Sequence, residues 1–244
     1  MKQAVKLTVL AGALSVLTGC AATQTAISHG SLQVSTKQSE TIFLDPVANS
    51  QKTIFVAVKN TSDQEVEVAS KLKDALKRNG YKIVASPNAA HYMLQANILT
   101  VAKMSHSASE GALGAGYGSA IAGAAVGTAV GSFANSTAGM VGGGIAGGVI
   151  GLAADALVKD VNYTMITDLQ ISARVGKGIK VNEHFQSNLQ NGSSTVNSQS
   201  YVTNSEYQRY RTRVVSNADK VNLKFAEARP ALEQGLAKVI AGIF

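Results

Sequence analysis

KTIFVAVKNTSDQEVEVASKLKDALKRNGYKIVASPNAAHYMLQANILTVA, residues 52–102, holds the changes of pattern that decide the fold. Lys52 to Lys59 is rich in β-branched and aromatic side chains and reads as a strand. Ser62 and Glu65 then stand at capping-box spacing, in which each side chain satisfies a backbone N–H at a helix start. From there to Asn79, Val68, Leu72, Ala75 and Leu76 recur every three or four residues and share one helix face. Gly80 is the expected helix stop, because glycine enters left-handed backbone without steric cost. Tyr81 to Ala85 reads as a second strand, Ser86-Pro87-Asn88 as a turn, and Tyr92 to Ala102 as a third strand. The apolar stripe of the helix needs a sheet to cover it, so the stretch predicts a β-α-β-β unit of an α+β fold.

The C-terminal part supplies more of the same domain. Asn162 to Val175 alternates as a strand, with Gly176 and Gly178 in the turn that follows. Gln186 to Asn204 is rich in Ser, Asn and Gln and reads as a long polar loop or an irregular hairpin. Tyr207 to Val215 is another strand. Asn217 or Asp219 is the expected cap of a final helix whose Val221, Phe225, Leu232, Leu236, Val239 and Ile240 face inward. Pro230 should kink or restart that helix, since proline removes a backbone hydrogen bond. Residues 41–110 and 159–244 thus form a single mixed α/β domain.

Between them, from Gly111 to Ala154, 44 consecutive residues contain no Asp, Glu, Lys or Arg, and fourteen of the chain's 23 glycines lie there. Two halves, Ala112 to Phe133 and Ala138 to Val158, flank a polar tip at 134–137. Each half is about the roughly 20 residues that cross a bilayer as a helix. Gly123, Gly127 and Gly131 recur every four residues in the first half, and Gly139, Gly143, Gly147 and Gly151 in the second. Residues four apart share a helix face, and small residues on such a face let backbones pack closely in lipid. Residues 111–158 are therefore expected to form an inserted, glycine-rich transmembrane helical hairpin that packs protomers into an oligomer. A hairpin buried in a soluble core and an apolar loop are the competing readings.

The N-terminus places the chain in a cell. Lys2 and Lys6 precede an eleven-residue apolar run, Leu7 to Leu17, too short to span a bilayer and suited to an export signal. Leu17-Thr18-Gly19-Cys20 is a lipobox, and Cys20 is the only cysteine of 244 residues, so no disulfide framework competes for it. Residues 1–19 are the expected signal peptide, Cys20 the lipid attachment site, and residues 20–40 a lipidated linker. Ala21, where an aspartate would favour retention in the inner membrane, directs the chain to the outer membrane. Loss of Lys2 and Lys6 lowers the formal charge from +7 to +5, which suits an anionic lipid surface.

Chemistry-bearing motifs are sparse. His29, His91, His106 and His184 have no second ligand at the local spacing of zinc sites, and neither a phosphate-binding loop nor a nucleophile elbow occurs. No catalytic residues, metal or cofactor are expected, and nucleic acid is not an expected partner. Arg209, Arg211 and Arg213 alternate along one strand and project to one face. They suit a contact with phosphate or lipopolysaccharide, or simply a solvated strand face or intersubunit ion pairs with Glu206.

The lipobox, KTIFVAVKNTSD, GYKIVASPNAAHYMLQANILTV, the glycine-spaced block and the C-terminal KVNLKFAEARPALEQGLAKVIAGIF together resemble the TraT family of surface exclusion and complement resistance lipoproteins of conjugative plasmids. The resemblance covers essentially the whole chain. It implies an oligomeric, surface-exposed outer-membrane lipoprotein without catalytic residues, in which Cys20 is acylated. Expected partners are further copies of the chain, outer-membrane lipid, and lipopolysaccharide or components of the donor cell's mating surface. An oligomeric channel and an envelope assembly factor are the alternatives.

Overall fold

The computed structural model of the chain describes residues 30–119, 121, 160–176, 181–191 and 195–244. A six-stranded mixed sheet organises them. Its strands are β1 (Gln33–Gln38), β2 (Thr53–Asn60), β3 (Lys82–Ile83), β4 (Tyr92–Lys103), β5 (Asp160–Arg174) and, after a separate ribbon, β8 (Tyr207–Val221). The spatial order is β1-β8-β5-β4-β2-β3. β2 pairs in parallel with β3 and β4, and the pairs β4–β5, β5–β8 and β8–β1 are antiparallel. The ribbon is an antiparallel hairpin of β6 (Val181–Asn191) and β7 (Thr195–Ser205).

Helices cover both faces. On one side α1 (Ala69–Arg78) and α3 (Phe225–Ala241) pack on each other and on the sheet. Leu72, Leu76, Leu232, Leu236 and Ile240 meet Ile54, Leu94, Met165, Leu169 and Val214 there, all fully buried. Alternation along a strand sends its odd and even residues to opposite faces, so Ile166 and Val215 point the other way, into a small cluster with Ala112 of α2 (His106–Ala115). The α1–α3 seam is closed at its end by Asn79 Nδ2, which donates to the Ala241 carbonyl at 2.8 Å, and by the Tyr81 hydroxyl, which donates to the Phe244 carbonyl at 3.1 Å.

The β-α-β-β unit is present, with Gly80 at φ +86° directly after α1 as the helix stop. Its boundaries differ from expectation. α1 begins at Ala69, seven residues after Ser62, whose hydroxyl instead donates to Asn60 Oδ1 at 2.7 Å in a turn. The second strand is only Lys82–Ile83. β8 runs on to Val221, so Asn217 and Asp219 are strand residues and the final helix starts at Phe225, after the positive-φ Asn222. Pro230 lies inside α3 without dividing it. Residues 186–191 and 195–204 of the polar stretch are strand residues of β6 and β7.

The inserted transmembrane hairpin is corrected. Among the described residues the chain is a mixed sheet with three helices, none long and apolar enough to cross a membrane. The first residues of the uncharged block complete α2, which packs on the sheet through Ser109 and Ala112. Gly116 and Gly118 then adopt φ of +73° and +72°, a backbone that ends a right-handed helix. Ala112 to Phe133 is therefore not one continuous span. Gly123, Gly127, Gly131, Gly139, Gly143, Gly147 and Gly151 lie outside the described residues.

Candidate functional site at the head of the glycine-rich block

Ser105 opens α2 by accepting a hydrogen bond from the Ala108 N–H at 3.2 Å, the usual satisfaction of an orphan donor at a helix start. The helix crosses β5 and β8 and delivers the chain, at Gly116 to Ser119, to the start of the glycine-rich block. Asp168 of β5 and Arg213 of β8 are directly opposite each other in register beneath it.

Arg213 is fully buried, and a buried guanidinium persists only with its charge and its donors matched. Its Nε donates to Asp168 Oδ1 at 2.7 Å and its Nη2 to Asp168 Oδ2 at 3.1 Å, a two-point ion pair. Nη2 also reaches the Ser119 carbonyl at 2.8 Å, and Nη1 the Ala112 carbonyl at 3.4 Å. Asp168 Oδ2 in turn accepts the Gly118 N–H at 2.9 Å. One ion pair thus fixes the last turn of α2 and the loop beyond it to the middle of the sheet.

Arg211, two residues back on the same face, donates from Nε to Gln170 Oε1 at 2.8 Å and lies 5.7 Å over the Tyr117 ring, a cation–π arrangement. Burial raises the pKa of the Tyr117 phenol, opposed by the Arg211 charge. Arg209 is half-buried further along. The three arginines share a face as their spacing required, and Arg213 pairs with Asp168 beneath α2. Arg213 points its guanidinium inward, to protein acceptors.

A second polar group lies on the same face, at the opposite end of α2. His106 Nε2 is 2.9 Å from Asp219 Oδ2, and Asp160 joins them, the three ligand atoms all lying within 4.8 Å of one another. Asn162, Thr164 and Asn217 continue this polar seam between β5 and β8. Local spacing along the chain does not reveal the group, because its members come from α2, β8 and the first residue of β5. Beside it, α2 and β1 enclose a cleft of about 230 Å³ lined by Lys37, His106, Ser109, Glu110 and Asp219 among others.

A face built from buried ion pairs and backbone anchors is suited to holding a segment in place. The family described as Enterobacterial TraT complement resistance protein matches residues 31–244. This chain belongs to the TraT family. A TraT complement resistance protein of Escherichia coli is 44% identical over the full length of both chains. One from Escherichia coli strain K12 is 44% identical over 93% of this chain and 92% of its own. A TraT complement resistance protein of Wigglesworthia glossinidia brevipalpis is 27% identical over 93% of this chain and 91% of its own. The TraT-family match covers both the Asp168–Arg213 pair and the His106 group. Cys20 of this TraT-family chain lies outside the described residues.

Proposed function

We propose that this chain is an outer-membrane lipoprotein that protects its cell from complement and lowers redundant conjugative transfer between cells carrying related plasmids. It acts as a homo-oligomeric surface assembly, by contact and without catalysis. The observation that carries the proposal is the similarity, over the whole chain, to proteins named for complement resistance. The lipobox ending at Cys20 supports anchoring, since several acyl chains on one residue exceed the two signals that stable attachment needs. Ala21 supports the outer membrane as destination. Surface exclusion rests on the resemblance of the chain's motifs to TraT lipoproteins.

The test is expression from a neutral promoter in a serum-sensitive strain. Survival should rise in active serum and be unchanged in heat-inactivated serum, and transfer of a related plasmid into these cells should fall. Survival equal to that of cells with empty vector would overturn the complement reading, and unchanged transfer would overturn surface exclusion.

A further inference from the structure

We infer that His106, Asp219 and Asp160, with the side-chain oxygen of Asn162, form a binding site for a borderline divalent metal ion of the Zn²⁺ type. The inference is independent of the proposed function. His106 Nε2 and one carboxylate oxygen each of Asp160 and Asp219 are mutually within 4.8 Å. Ligand atoms placed at about 2.0–2.2 Å from a common ion need no more than modest closure from that spacing. One imidazole and two carboxylates form a mixed N/O set, which suits Zn²⁺ better than Mg²⁺ or Ca²⁺ with their preference for all-oxygen shells. Two carboxylates also balance the two charges of the ion.

Asn162 supplies the separate observation. Its side chain is 6% exposed and its Oδ1 has no hydrogen-bond partner, although buried polar atoms are paired almost without exception. The orientation of the amide is fixed by its nitrogen. Nδ2 donates to the Met104 carbonyl at 3.3 Å, to Thr164 Oγ1 at 3.2 Å and to Asn217 Oδ1 at 3.3 Å. Thr164 and Asn217 are paired with each other one step along the seam, and Asn162 is itself paired with Asp219. Asp219 is opposite Asn162 on β8, and Asp160 stands two residues before it on the same face of β5, so the unpartnered oxygen belongs to the residue between the two carboxylates. Carboxylates and an amide oxygen are all acceptors, and one cation can be shared by them.

The position gives such an ion a structural consequence. His106 opens the helix that leads into the glycine-rich block, and Asp160 begins the strand that follows it. An ion held by both would join the two ends of the block to the β5–β8 seam. The cleft between α2 and β1, which includes His106 and Asp219 in its lining, provides a route from solvent.

The full chain, purified in detergent and stripped with EDTA, is the material for the test. Co²⁺ titration should give visible d–d absorption that Zn²⁺ abolishes and millimolar Mg²⁺ does not, and Zn²⁺ should raise the thermal midpoint. His106→Ala removes a side chain that is 60% exposed, so the fold is retained, and it should weaken Zn²⁺ at least about tenfold, in the range that loss of a metal-site group costs. Asn162→Ala should weaken Zn²⁺ while leaving the His106–Asp219 contact. His91→Ala should change nothing. Absence of a Co²⁺ spectrum in the wild-type chain overturns the site. So does a Zn²⁺-induced rise in midpoint that is the same in His106→Ala as in wild type. A lower midpoint in His106→Ala with no metal effect in either protein would identify the cluster as a plain ion pair, and would overturn the site as well.

Discussion

Arg213 is fully buried, and its charge is matched by Asp168 directly opposite it across β5 and β8. Alternation alone places Arg209, Arg211 and Arg213 on one face. It cannot show that α2 lies over the last of them, nor that Asp168, 45 positions earlier, is its partner. The available signal was Asp168 itself, the lone acid in the apolar run Met165-Ile166-Thr167-Asp168-Leu169, where a carboxylate needs a partner to be tolerated. The pair makes a sharp prediction. Arg213→Met or Asp168→Leu alone should cost about 3–5 kcal/mol, because each strands a buried charge. The double substitution should cost far less than the sum, of the order of the 1–3 kcal/mol expected for the Ala112 and Ser119 carbonyls left unmatched. Urea midpoints of the four proteins measure the cycle. Additive losses would mean that the two charges do not depend on each other.

At the scale of elements, what the sequence showed best was what local periodicity controls, and what it showed worst was what a distant element supplies. The stripe of Leu72, Ala75 and Leu76 located α1, and Gly80 its end. Its beginning was misplaced because the cap is not the local Ser62–Glu65 box. Glu233, buried on α3, accepts the Glu67 N–H at 2.7 Å and pairs with Lys71, while Glu67 Oε1 accepts the Ser70 N–H at 3.2 Å. A carboxylate at a helix N-terminus also interacts favourably with the helix dipole. Likewise β6 and β7 carry little apolar alternation, because they pair in a two-stranded ribbon apart from the main sheet. Glu233→Ala should therefore loosen α1 from its first turn, with a loss of about 1 kcal/mol for the part-buried hydrogen bond to the Glu67 N–H. Glu233→Gln, which keeps an acceptor, should lose less. Amide exchange at Ser70, Lys71 and Leu72 reads this directly. Protection unchanged in Glu233→Ala would show that α1 is capped without α3.

At the scale of the whole molecule, the described fold and the proposed lipid anchor at Cys20 lie in separate parts of the chain. The sheet, with α1 and α3 on one face and α2 on the other, builds its core from described residues between Leu32 and Phe244, and no helix within the described residues is long and apolar enough to cross a membrane. In the proposed lipoprotein, acyl chains on Cys20 would supply membrane residence, each buried CH₂ contributing about 0.8 kcal/mol. The uncharged block misled the sequence reading because length and glycine spacing describe a span equally well whether or not it starts as a packed helix. Only the turn at Gly116 and Gly118, and the anchoring of that turn by Asp168, distinguish the two. Cys20→Ser should accordingly separate the properties. The urea midpoint of the variant should equal that of the wild-type chain, since the lipid touches none of the core. Its sedimentation with membranes and its protection against serum should both be lost. A variant that stayed in the membrane fraction with full serum survival would transfer the anchoring role from the acyl chains to the polypeptide itself.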